Sequence, residues 1–209
     1  GNAQQQQATL DYVGGLIELA SGLGSKLVAG PFYSSVGRCN LHTDAEKAQQ
    51  LDTLARNLET LCTQAEKAGV TLAMEPLNRF ETDFVNTLEQ AAAIIEKVGS
   101  PALKIHADAF HMNIEESSSA EAIRAFGPLI GHFHASASHR GIPGKDQVHW
   151  RDIFAALKDV NYGGDIVIET FSKDNAIIAK AASIWIDRFD SAEQLSREGL
   201  AFLRETWAA

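Results

Sequence analysis

Cysteine is nearly missing from this chain: Cys39 and Cys62 are the only two in 209 residues. Two thiols cannot build a disulfide scaffold, so the expected setting is a reducing cytoplasm. Cys62 falls on the apolar side of a helical pattern and reads as a small core residue. Positive charge is also scarce, with 18 Lys and Arg against 27 Asp and Glu and a formal net charge of −9. Sequence-independent binding to phosphate backbones needs clustered basic residues, which argues against a nucleic-acid partner. No apolar run reaches the ~20 residues that span a bilayer, and no charged-then-apolar signal segment is seen, which argues against a membrane partner. A G-x-G-x-x-G or Walker loop is missing as well. What the chain does have is 45% hydrophobic residues, enough for one sizeable core.

Those residues alternate between short β-type runs and longer helical patterns. Helices are expected over 8–22, 44–67, 88–98, 119–126, 150–159, 176–186 and 191–206. Strands are expected over 26–30, 71–76, 103–108, 130–134 and 165–170. Thr43 or Asp44 caps the second helix and Gly69 closes it; Thr87 and Gln90 have capping-box spacing, with Gly99 beyond that helix's end. Residues 109–118 read as a polar loop, and 135–148 as a loop carrying Gly and Pro. Strand–helix alternation at this spacing means a parallel sheet. Without a glycine-rich loop after the first strand, a (β/α)-barrel is favoured over a doubly wound sheet. The expectation is therefore one domain over 1–209. A closed barrel needs eight strands and this count gives five, so about three N-terminal βα units are expected to be lacking.

Four of the five strand segments carry, at their last or next-to-last position, a residue able to ligate a metal: Glu75, Asp108, His134 and Glu169. Burying a carboxylate or imidazole at a strand end costs several kcal/mol unless a partner compensates it. One divalent cation would compensate all four together. Three carboxylates with one imidazole suit Mn2+, Mg2+ or Co2+ better than structural Zn2+, which favours sulfur and nitrogen. Such an ion could polarise a sugar carbonyl and acidify the neighbouring C–H, with a carboxylate moving the proton. Alternation along the strands puts His106 beside Asp108, His132 beside His134, and Val167 beside Glu169 on one face. His106 and His132 read as interior fillers rather than ligands. Trp150 and Phe154 read as the buried face of a helix.

The strings Glu75-Pro-Leu-Asn-Arg79-Phe-Glu81, Asp108-Ala-Phe-His111-Met-Asn-Ile-Glu-Glu116, His132-Phe-His134 with Arg140, and Val167-Ile-Glu169 closely resemble the xylose isomerase-like TIM barrel group of sugar isomerases and epimerases. Within it, the ketose 3-epimerases acting on D-tagatose and D-psicose are most alike, over about residues 8–204. The resemblance implies that Glu75, Asp108, His134 and Glu169 hold one divalent ion, Mn2+ foremost. It implies that Glu75 and Glu169 also act as an acid/base pair on opposite faces of C3, through a cis-enediolate. Glu81, His111 and Arg140 match positions that hold the sugar. A small-molecule sugar substrate and a homo-oligomer, dimer or tetramer, are implied as well. Many relatives carry Glu three residues after the ligand histidine, whereas this chain has Ala137. The alternatives are a related sugar or hydroxy-acid isomerase or dehydratase, and a non-catalytic partner subunit.

Overall fold

The structure is a computed structural model and describes residues 2–209; the first residue of the expected 1–209 domain lies outside the described residues. Five strands, β1 (Leu27–Gly30), β2 (Thr71–Met74), β3 (Leu103–Asp108), β4 (Ile130–His134) and β5 (Ile166–Val167), form one sheet in the order β1-β2-β3-β4-β5. β1 pairs with β2, β2 with β3, and β4 with β5, each in parallel. Strictly sequential neighbours are what a barrel wall requires. A doubly wound sheet would reverse its strand order at a switch point, and this sheet has none.

Among the described residues there are eight α-helices: α1 (Ala3–Gly22), α2 (Asp44–Ala68), α3 (Leu88–Val98), α4 (Ala109–Glu115), α5 (Ser119–Phe126), α6 (Trp150–Asp159), α7 (Ala176–Ala181) and α8 (Ala192–Ala208). β3, β4, α3, α5 and α6 fall where the sequence pattern put them. α1 starts five residues early because Asn2 and Gln5 close a reciprocal capping box ahead of the apolar stripe. α7 stops at Ala181, five residues short, where Ser183 adopts φ 56°. β2 ends at Met74, since Pro76 has no N–H to extend a ladder. β5 is only two residues long: past Val167 the chain bonds elsewhere, with the Thr170 hydroxyl donating to the Arg140 carbonyl. Val167 itself is exposed. Among the described residues, no helix is long and apolar enough to cross a membrane.

The chain divides into two compact units. The first comprises the residues up to His106 together with Leu129–His132; the second comprises Ala107–Pro128 and Phe133–Ala209. In the first, α2 packs on α1 and α3. Thr43 caps α2 through a reciprocal box with Glu46, and Gly69 ends it at φ 66°, a left-handed conformation that favours glycine. Leu58, Leu61, Cys62 and Ala65 bury the inner face of α2, and Leu72, Met74, Leu103 and Ile105 line the strands. Each fully buried Leu or Ile contributes about 1.5–3 kcal/mol.

In the second unit, α5 and α8 pack on α6. Trp150 and Phe154 are buried as expected, with ring centroids 6.1 Å apart. Phe202 meets Trp150 at 6.3 Å and Trp207 meets Phe154 at 5.4 Å, both edge-on. Gly127 is required at the start of the turn before β4, because a Cβ there would stand 2.5 Å from Val160.

Candidate metal centre

In the first unit, Glu75 is the residue just past the end of β2. Its N–H donates to the Gly30 carbonyl, which carries the parallel ladder one step further, and its side chain is buried. His106 Nδ1 lies 3.6 Å from Glu75 Oε2, and the two ligand atoms are close enough to share one ion. His106 and His132 pack ring to ring, 5.0 Å between centroids. The loop after Glu75 folds back on Asn78, a buried residue. Asn78 Nδ2 donates to Glu81 Oε1 at 3.0 Å, and Asn78 Oδ1 accepts from the Phe80 N–H. Glu81 is therefore oriented by its own loop. The Tyr33 hydroxyl donates to the Val85 carbonyl and accepts from the Leu77 N–H. Burial pushes that phenol well above its usual range. The Leu77 N–H opposes this, and the charges of Glu75 and Glu81 add to the rise.

In the second unit, Asp108 ends β3 and begins α4. Its Oδ1 accepts from the Phe110 and His111 N–H groups at 2.7 and 3.1 Å, so a strand-end carboxylate doubles as a helix cap. This is why 109–115 is helical although the sequence pattern read it as a polar loop. Oδ2, the other oxygen, is fully buried with no hydrogen bond and lies 3.6 Å from His134 Nδ1. Glu169 Oε1 is 3.4 Å from the same nitrogen, while Glu169 Oε2 is buried with no hydrogen bond and 4.0 Å from Arg140 Nε.

Two carboxylates thus face one imidazole. Burial opposes the charged form of His134, but the carboxylates of Asp108 and Glu169 outweigh it and lift the imidazole to about 10. Burial also raises Asp108, aided by the charge of Glu169 and opposed by His134. The cluster therefore keeps a proton at neutral pH, with the imidazole as its seat. Buried carboxylate oxygens lacking donors, set around one imidazole nitrogen, fit a divalent cation: it would satisfy those oxygens and replace the proton.

His111 and Arg140 stand beside this cluster. His111 is buried in α4, not in a loop. Burial, then the positive charges of Arg140 and His134, pull its imidazole down to about 3, so it is neutral. Arg140 is buried with φ 54°, and its Nη1 donates to the Ala182 carbonyl. Its turn is closed by the Arg140 N–H donating to the carbonyl of Ala137. The loop carrying Arg140 is tied by His139, whose Nδ1 accepts from the Gly141 N–H and whose Nε2 donates to the Lys145 carbonyl.

The structure thus gathers Asp108, His134, Glu169, His111 and Arg140 in one unit, and Glu75 and Glu81 in the other. Sequence reading passed over Phe110, Phe171, Asn78 and Tyr33 as functional candidates. For two of them a neighbour in the motif strings was the signal: Phe110 between Asp108 and His111, Asn78 between Glu75 and Glu81.

The sequence matches the family described as xylose isomerase-like TIM barrel over residues 1–206. It is 41% identical to a D-psicose 3-epimerase of Agrobacterium fabrum over 145 residues, covering 67% of this chain and 50% of the relative. An L-ribulose 3-epimerase of Mesorhizobium japonicum is 35% identical over 189 residues, covering 90% of this chain and 63% of the relative. The chain thus spans about half the length of the D-psicose 3-epimerases it matches. Among solved structures, an L-ribulose 3-epimerase superposes with a TM-score of 0.90 at 32% identity, covering 96% of this chain and 67% of that one. The D-psicose 3-epimerase of Clostridium cellulolyticum with D-tagatose gives 0.90 at 28% identity, covering 99% and 73%. The chain belongs to the xylose isomerase-like TIM barrel family.

Proposed function

We propose that this chain carries the metal shell of an isomerase that epimerises a ketose at C3. The observation that supports this most is the cluster of Asp108, His134 and Glu169, with two buried carboxylate oxygens lacking donors and with Arg140 and His111 beside it. In this reading Glu75, Asp108, His134 and Glu169 hold one divalent ion, Mn2+ in preference to Mg2+ or Co2+. The ion supplies a Lewis acid that polarises the ketose carbonyl and acidifies the adjacent C–H. Glu75 follows β2 and Glu169 follows β5, and in this reading they approach C3 from opposite faces. One removes the C3 proton as general base, leaving a cis-enediolate, and the other returns a proton from behind. Arg140, always cationic, holds the oxygen side of the sugar with neutral His111, and Glu81 receives a hydroxyl hydrogen bond. The wider frame is one barrel domain acting on a free sugar as a cytoplasmic homo-oligomer, dimer or tetramer.

The test is solvent exchange at carbon. With Mn2+ and a ketose in D2O, the protein should incorporate deuterium at C3. Glu75→Gln and Glu169→Gln should both lose that exchange while keeping the wild-type far-UV circular dichroism. Exchange retained in both variants, or a wild-type protein that binds sugar without exchanging C3, overturns the assignment.

A further inference from the structure

Arg140 is a permanent charge in a buried place. Its ion pair with Glu169 spans 4.0 Å, longer than a charge-assisted hydrogen bond. Two aromatic rings lie against the guanidinium instead: Phe110, 4.1 Å from the ring centroid to Cζ, and Phe171, at 5.0 Å. A ring face within about 6 Å attracts a cation, and does so more strongly when water is excluded. Phe110 has a second contact, edge-on to His111 with centroids 5.1 Å apart. The same ring therefore touches both side chains assigned to the sugar in this unit. Those two side chains also meet each other, with Arg140 Nη2 3.3 Å from His111 Nε2. A guanidinium nitrogen can only donate. His111 Nε2 is therefore the acceptor, which leaves the ring hydrogen on Nδ1.

We propose that Phe110 is a positioning residue for the sugar-binding pair: its face holds the Arg140 guanidinium and it packs edge-to-face with the His111 ring, in an arrangement that makes His111 a donor through Nδ1. This rests on the reading of Arg140 and His111 as substrate contacts. Phe110 itself needs no contact with the sugar. It is fixed at the first turn of α4, where its N–H donates to Asp108 Oδ1, so the clamp is built on the residue that ends β3. The spacing Asp108, Phe110, His111 then has a physical reason: carboxylate, clamp and clamped imidazole share one helical turn.

The experiment uses the Mn2+-loaded full chain with Phe110→Leu, which removes the ring at similar bulk, and Phe110→Tyr, which keeps it. Phe110→Met serves as a second apolar variant should Phe110→Leu fold poorly. The apolar variant should raise KM for the ketose about tenfold while kcat falls less than about threefold. Phe110→Tyr should stay within about twofold of wild type on both. Long-range 1H–15N correlation spectra, recorded with diamagnetic Mg2+ in place of Mn2+, should show His111 as the Nδ1–H tautomer in wild type and Phe110→Tyr, and as a mixture of tautomers in the apolar variant. An unchanged KM with an unchanged tautomer in the apolar variant overturns the proposal. So does an Nε2–H tautomer in wild type. If the wild-type protein turns over no ketose, the epimerase reading fails by itself, and the tautomer spectra still decide the role of Phe110.

Discussion

Each unit gathers carboxylates and imidazoles at its strand ends, but in opposite proportions. In the first, the single carboxylate of Glu75 faces His106, which packs on His132. In the second, Asp108 and Glu169 both close on His134, with Arg140 behind Glu169. One carboxylate beside an imidazole is balanced by a single proton or hydrogen bond. Two carboxylates around one imidazole carry surplus negative charge in a desolvated place, which drives the imidazole to about 10 and calls for a cation. Position at a strand end therefore does not decide chemistry; the balance of charges placed there does. On the proposed function, the second cluster would anchor the ion and Glu75 would supply a further carboxylate.

The sharpest way to break this contrast is Asp108→Asn. Asparagine keeps the α4 cap and removes only the charge, so the fold should survive while Mn2+ affinity drops about a hundredfold or more, as measured by isothermal titration. A related effect is thermal. Mn2+ at a hundred times its Kd should stabilise the wild-type chain by about 2.7 kcal/mol, roughly 5–10 °C in a calorimetric scan, and Asp108→Asn should abolish the shift. On the other side, His132→Gln should cost about 1 kcal/mol of stability and change Mn2+ affinity less than about threefold. A loss as large as that of Asp108→Asn would make the first cluster a ligand set in its own right.

The smallest effect belongs to a structural arginine. Arg38 holds Asp83 at 2.5 Å and Gln50 through a short hydrogen bond, and lies over Phe84 at 5.0 Å. Burial raises Asp83, but the Asn40 N–H and the Arg38 guanidinium outweigh it and hold the carboxyl below its usual range. A depressed carboxyl stabilises the fold fully above the unfolded pKa near 4, and that contribution disappears as pH falls through the folded pKa. Arg38→Ala should cost about 1 kcal/mol at neutral pH, flatten the acid limb of a urea-denaturation series, and leave Mn2+ binding unchanged.

Much of this was legible from local pattern. β4 and β3 ended where apolar runs met His134 and Asp108, and Thr43, Thr87, Gly69 and Gly99 marked helix ends through chemistry confined to a few neighbouring residues. Ligand candidates stood out because a buried charge is conspicuous in an apolar run. The parts that were not legible depend on partners far along the chain. α4 has no long apolar stripe and exists because Asp108 caps it. Burial of Arg140 follows from Phe110, Phe171 and Ala182 meeting a residue in a left-handed turn, and no spacing rule announces that. The end of β5 at Val167 was hidden too: beyond it the Thr170 hydroxyl bonds the Arg140 carbonyl, a partner 30 residues away.

The central claim is that the strand-end residues share a single ion, and Mn2+ stoichiometry and affinity test it most directly. Titration of the wild-type chain, Glu75→Gln and Glu169→Gln, followed by electron paramagnetic resonance of free Mn2+, should give one ion per wild-type chain. Each variant should bind it about tenfold more weakly or worse. Wild-type affinity in Glu75→Gln, or two independent ions per chain, would contradict the account.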